Sequence, residues 1–199
     1  GTPRSCSLTV VKCKRWTRDM AWEDTGLHWF PTSPNIPTIE AVRGYAVTGL
    51  SGELGLAAIG IGTATPFTVV GAPVFPQDSV LINRMNSFGV VMRWGHFLPT
   101  AGKYARSECE GYHLAFARDT TFKPFHAAMA LTLALADAFP GFLTNELRTS
   151  NRGRMFVKTS GSERLLNIIF DSASWSKLRP ICQEGVESFK RKRAPYLLY

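Results

Sequence analysis

The stretch that most restricts the fold is 124-PFHAAMALTLALADAF-139, an apolar run that opens on Pro124 and stops before 140-PG-141. Proline suits the first turn of a helix and Pro-Gly ends one, so the run is expected to be a single long helix. His126 and Asp137 interrupt it, and it falls short of the roughly 18 uninterrupted apolar residues of a membrane span. It is therefore read as a core helix, and the rest of the chain must supply the surfaces that cover it. No window in the chain reads as a membrane span.

A chain of 199 residues, 45% hydrophobic and 19% charged, suffices for one well-packed domain or at most two small ones. Its aromatic residues, 12% of the total, exclude a disordered chain. The 23 Lys and Arg exceed the 15 Asp and Glu, giving a net charge of +8 that points to anionic partners. Those cations are split between Lys12, Lys14, Arg15 and Arg18 at one end and 190-KRKR-193 at the other. A nucleic-acid face would need the two ends to meet, so nucleic acid ranks below other partners.

Around the core helix the pattern alternates between strands and helices. Strands are expected at 7-SLTVVKC-13, 45-YAVTGL-50, 67-FTVVGAP-73, 88-FGVVMRWGHF-97 and 112-YHLAFARD-119. Pro31, Pro34 and Pro37 rigidify a surface segment that leads into a short helix near Thr38 to Val42. A helix over 77–86 has Asp78 or Gln77 near its start and Gly89 beyond its end; 98–111 and 145–154 read as polar loops. Residues 155–170 combine a short strand, a Thr-Ser-Gly turn and an amphipathic helix, and 174–193 contain a last helix with Pro180 near its first turn. The sum is an α+β (mixed α/β) fold of short strands with three to five helices, in one domain over 1–199.

Few residues announce chemistry. The four cysteines, Cys6, Cys13, Cys109 and Cys182, form no CxxC, and the four histidines are scattered, so no metal or other cofactor is expected. There is no Gly-x-Ser-x-Gly elbow, and 60-GIGTAT-65 lacks the lysine of a phosphate-binding loop. Glu108 and Glu110 have the spacing to share one face of a strand, but a surface loop is the blander setting for them. The opening residues carry no targeting pattern, and a start on Gly-Thr-Pro reads as a mature or cut product. The segment 50-LSGELGLAAIGIGTATPF-67 stands apart, with four glycines around a lone Glu53. Such a loop either brings backbone close to a ligand or makes a tight turn.

The runs 22-WEDTGLHWFPTSPNIPT-38, Glu53, 62-GTATPFTVVGAP-73 and 189-FKRKRAPYLLY-199 resemble, in order and spacing, the C-terminal domain of the NamZ-type exo-β-N-acetylmuramidases. The family pattern there runs Ser-Pro-Asn-Met-Pro-Thr, then Phe-Glu-Gly-Thr-Asn-x-Ser-Glu-Gly-Arg-Gly-Thr, then Gly-Ala-Pro, and ends in Tyr-Leu-Leu-Tyr. By this resemblance Ser33, Asn35, Glu53, Gly60, Gly62 and Thr63 are the substrate-binding candidates, and Glu53 is the one catalytic candidate. The departures fall on charge: Ile59 stands where the family has a second glutamate, Ile61 where it has an arginine, and Thr65 where it has another.

The resemblance implies a glycoside hydrolase acting on muramic acid sugars from peptidoglycan, in the cell envelope or outside the cell. The family's proposed catalytic glutamates belong to a Rossmann-like N-terminal domain, expected to lie outside this chain and to act as its partner. The chain alone is then not a complete hydrolase. The alternative is a catalytically silent relative, reused as a binding or structural subunit of a larger complex. The loss of arginine bears on both readings, because muramic acid carries a lactyl carboxylate that an arginine fork would hold.

Overall fold

A computed structural model of the chain describes residues 6–171 and 174–199. The described residues form two compact units, one built from the two ends of the chain up to His28 and from Gly185, the other from Trp29–Glu184.

The larger unit is a three-stranded antiparallel sheet with helices. Its strands are β1 (Val69–Ala72), β2 (Val90–Phe97) and β3 (Cys109–Phe116), in the order β1-β3-β2. The central strand β3 pairs Val69 with His113 on one side and Val90 with Phe116 on the other. The expected run at 124–139 is helix α3 (Pro124–Ala138), in which every residue from Ala127 to Leu133 is buried. It packs against α1 (Ile39–Leu54), α2 (Ser79–Asn86), α6 (Glu163–Phe170) and α7 (Trp175–Gln183). Helix α2 starts where the sequence marks it, the Asp78 carboxylate accepting the Leu81 amide at 2.9 Å.

The α+β class is as expected, but several elements differ. The short helix at Thr38 and the strand over 45–50 are one helix, α1. Thr38 caps it, its hydroxyl accepting the Ala41 amide at 3.1 Å, and Gly55 ends it in the left-handed region at φ 67°. Ala41, Gly44, Val47, Thr48, Ser51 and Leu54 form its buried stripe at helical spacing, and the alternation of 45-YAVTGL-50 masks that stripe. The short strand expected from Met155 is part of helix α5 (Asn151–Ser160), begun by the Ser150 hydroxyl accepting from the Arg152 and Gly153 amides. Part of the expected polar loop before it is helix α4 (Asn145–Thr149). The last helix is two, α7 and α8 (Val186–Arg193), broken at the left-handed Gly185. Among the described residues there are thus three strands and eight α-helices.

In the smaller unit, residues 6–13 form no strand. A strand needs a neighbouring ladder, and here the Cys13 amide donates to the Tyr199 hydroxyl at 2.7 Å instead. The Trp16 and Tyr199 rings meet edge to face at 4.8 Å, and Arg18 Nε donates to the Tyr199 carbonyl at 3.5 Å. The two basic ends of the chain therefore belong to one unit, the condition that a polyanion-binding face would need. Residues 1–5, including the Gly-Thr-Pro start, lie outside the described residues.

Candidate functional site

The glycine-rich segment is not one loop. Leu50 to Leu54 are the last turn of α1, so Glu53 sits half-buried on a helix, and the loop proper begins at Gly55. From there the chain turns back over α1. Ala58 exchanges hydrogen bonds with Gly71 of β1, and the Phe67 amide donates to the Ile59 carbonyl at 2.7 Å. At the far side the loop touches the helix backbone: a β-carbon on Gly44 would collide with the carbonyl of Phe67. The buried Thr48 hydroxyl spans this contact, bonding the carbonyls of Gly44 at 3.0 Å and Phe67 at 3.2 Å.

The retained motif residues have structural duties. Gly60 and Gly62 lie in the left-handed region at φ 81° and 78°, where a side chain is strained. A β-carbon on Gly62 would also strike the Ala101 amide nitrogen, and the Gly62 carbonyl accepts from both the amide and the hydroxyl of Thr100. The Thr63 hydroxyl is spent inside the turn, donating to the Gly60 carbonyl at 2.7 Å and accepting the Thr65 amide at 3.0 Å. Ser33 makes a turn of its own, its hydroxyl accepting the Asn35 amide at 3.3 Å, with Asn35 exposed. That turn precedes the cap of α1 at Thr38, about 22 Å along the helix axis from Glu53 at 1.5 Å per residue. The six candidates therefore fall into three places: the turn before α1, the end of α1, and the loop.

The loop lines a cavity of about 570 Å³. Its apolar wall is made by Ile59, Ile61, Leu54, Leu147 and Phe142. Two cations enter it from segments that read as polar loops in the sequence. Lys103 Nζ donates to the Gly55 carbonyl at 2.5 Å and lies 3.8 Å from the centre of the Phe142 ring. Arg152 Nη1 donates to the Glu53 carbonyl at 3.3 Å and reaches the Gly52 carbonyl at 3.5 Å, so it caps the C-terminal end of α1. Burial, and then the charge of Arg152, lower the pKa of Lys103.

No Asp or Glu is among the cavity's lining residues, and Glu53 meets Arg152 through its backbone carbonyl. The acid and base pair of glycoside hydrolysis, two carboxyls roughly 5 to 9.5 Å apart, is thus not assembled there. What the cavity offers is charge recognition: an ammonium and a guanidinium keep donors to spare beyond the carbonyls they cap. Glu110 is occupied elsewhere, accepting the Phe75 amide at 3.1 Å, and Glu108 is exposed before β3. Lys103 and Arg152 have no signal in a single sequence, since each is an ordinary cation in a polar segment until the fold brings it to the loop. No group of His, Cys, Asp and Glu among the described residues could hold a metal ion, and all four cysteines are free thiols. No described helix is long and apolar enough to cross a membrane.

Against known families, residues 43–199 match the model described as exo-β-N-acetylmuramidase NamZ, C-terminal, and residues 2–40 match its N-terminal counterpart. The peptidoglycan β-N-acetylmuramidase NamZ of Bacillus subtilis (strain 168) is 30% identical over 195 residues, which cover 96% of this chain and 45% of that protein. The chain thus spans about half the length of this curated relative. A crystal structure of a DUF1343 family protein from Bacteroides fragilis NCTC 9343 superposes with a TM-score of 0.84 at 27% identity, covering 99% of this chain and 52% of the other. A second DUF1343 family protein from the same organism, at 22% identity and a TM-score of 0.55, covers 85% of this chain and 43% of the other and shares the fold.

Proposed function

The chain belongs to the NamZ exo-β-N-acetylmuramidase family, and from that premise we propose that it is the substrate-cleft part of a muramidase-like glycoside hydrolase, holding a muramic acid sugar that it does not cleave alone. The observation that carries this reading is the entry of Lys103 and Arg152 into the cavity lined by the family's motif loop. Muramic acid differs from glucosamine by a lactyl carboxylate, and the two cations supply the charge-assisted bonds that Ile61 does not. Phe142, Ile59 and Ile61 give the apolar surface against which a sugar face packs.

In this reading the Glu53 carbonyl anchors Arg152 at the end of α1, Gly60, Gly62 and Thr63 hold the loop's shape, and Ser33 and Asn35 form the turn ahead of α1. The hydrolytic carboxylates come from a Rossmann-like N-terminal domain, whose family model residues 2–40 match. The test is release of N-acetylmuramic acid from a chromogenic muramide. The 199-residue chain alone is expected to give none, and addition of the N-terminal domain of a NamZ relative is expected to give turnover.

A second reading has its own support. Ile59 and Ile61 occupy positions where the family pattern has charge, and both turn apolar surface to the cavity. That favours a silent relative serving as a binding or structural subunit of a larger complex. Sugar binding with no turnover under any pairing would select it.

A further inference from the structure

Away from the motif loop, α2, the start of α3 and α7 enclose a second hollow of about 630 Å³. Arg84 of α2, Lys123 at the cap of α3 and Arg179 of α7 all line it, together with Phe88, His126 and Trp175. The rings form a continuous floor: the centre of Phe88 lies 5.6 Å from both Trp175 and His126, and the Arg84 guanidinium lies 5.3 Å from the centre of the Trp175 ring. No Asp or Glu is among the lining residues, and none of the three cations has a carboxylate within 4 Å among the described residues. The acid that Arg84 does influence, Asp137, has its pKa raised by burial against the pull of Arg84 and lies outside the lining.

Such a convergence is unfavourable by itself. Arg84, Lys123 and Arg179 line the hollow with no carboxylate among the lining residues, and burial, then the charges of Lys123 and Arg179, lower the pKa of His126 beside them. A bound anion relieves it. Three cations, two of them guanidiniums that grip tetrahedral oxyanions bidentately, suit a phosphate carrying nearly two charges better than a single carboxylate. The volume is that of a small-molecule site, and the aromatic floor gives an organic group somewhere to rest.

We propose that this hollow binds an organic phosphate monoester, its phosphate held by Arg84, Lys123 and Arg179 and its organic part lying on Phe88 and Trp175. The site is separate from the motif-loop cavity and does not rest on the muramidase reading.

Calorimetric titration of the whole chain with glucose 6-phosphate, inorganic phosphate and glucose tests it. Glucose 6-phosphate is expected to bind saturably and more tightly than inorganic phosphate, with no heat from glucose. Lys123→Glu and Arg179→Glu, both at exposed positions, should each weaken binding about tenfold or more, the loss of one charge-assisted contact. Arg152→Ala, at the other cavity, should leave it unchanged. Absence of saturable binding, equal affinity for inorganic phosphate, or unchanged affinity in chains with the charges reversed and circular dichroism intact would overturn the proposal.

Discussion

Ile59 lies against Gly52 of α1 so closely that a β-carbon on Gly52 would sit 2.5 Å from its Cδ1. The residue that stands where the family pattern has a glutamate is thus packed as an apolar side chain against the last turns of a helix. Beside it, the backbone carbonyls of Gly52 and Glu53 point at Arg152. The loop's turns rest on Gly60 and Gly62, and Ile59 contributes packing rather than charge.

The glycines of α1 should respond unequally to alanine. At Gly52 the obstacle is the tip of a flexible isoleucine, and alanine gains about 1 kcal/mol of helix propensity, so Gly52→Ala should be close to neutral. At Gly44 the obstacle is the Phe67 backbone carbonyl, which cannot move without the loop. Gly44→Ala should therefore destabilise by about 1–3 kcal/mol in urea unfolding.

Thr48 is fully buried, and its hydroxyl lies within bonding distance of two carbonyls, one on its own helix and one at Phe67 in the loop. Thr48→Val keeps the shape and removes the donor. The expected loss is about 1–3 kcal/mol, the penalty for leaving a buried acceptor unsatisfied, and Thr48→Ser should recover most of it.

Helices α2 and α3 and strands β1 to β3 were legible because their signals are local: a cap at Asp78, a proline at Pro124, and apolar runs bounded by turns. Helix α1 was not. Gly44, Gly49 and Gly52 weaken its propensity, and what holds it is tertiary: packing against α3 and α5 and the close approach of the loop that follows it. The site divides the same way. Gly60, Gly62 and Thr63 could be named from the family pattern, and their turn duties were open as the blander choice. The convergence of Lys103 and Arg152 on that loop, and of Arg84, Lys123 and Arg179 on the second hollow, is tertiary and has no trace in spacing.

His126 should make stability depend on pH. Its folded pKa lies below the ordinary 6.5 through burial and the charges of Lys123 and Arg179. The unfolded chain therefore binds more protons in the window between the folded pKa and 6.5. The contribution is fully present above pH 6.5 and lost as the pH falls through the folded value. His126→Gln should flatten this acid-side slope in denaturant midpoints measured from pH 7 downward.

Binding should also report on Lys103. With its pKa lowered by burial and by Arg152, an anionic ligand in the cavity should raise it, so binding at alkaline pH takes up protons. Calorimetry in two buffers of different ionisation enthalpy would read that uptake, and Lys103→Met should abolish it.

The central claim is that the motif-loop cavity recognises a muramic acid sugar by its carboxylate, through Lys103 and Arg152. The measurement that tests it most directly compares the affinities of the 199-residue chain for methyl β-N-acetylmuramide and methyl β-N-acetylglucosaminide, which differ by the lactyl group. The muramide is expected to bind about tenfold or more tightly, with the preference lost in Arg152→Ala. Equal affinities for the two sugars, or a preference that survives removal of Arg152, would contradict it.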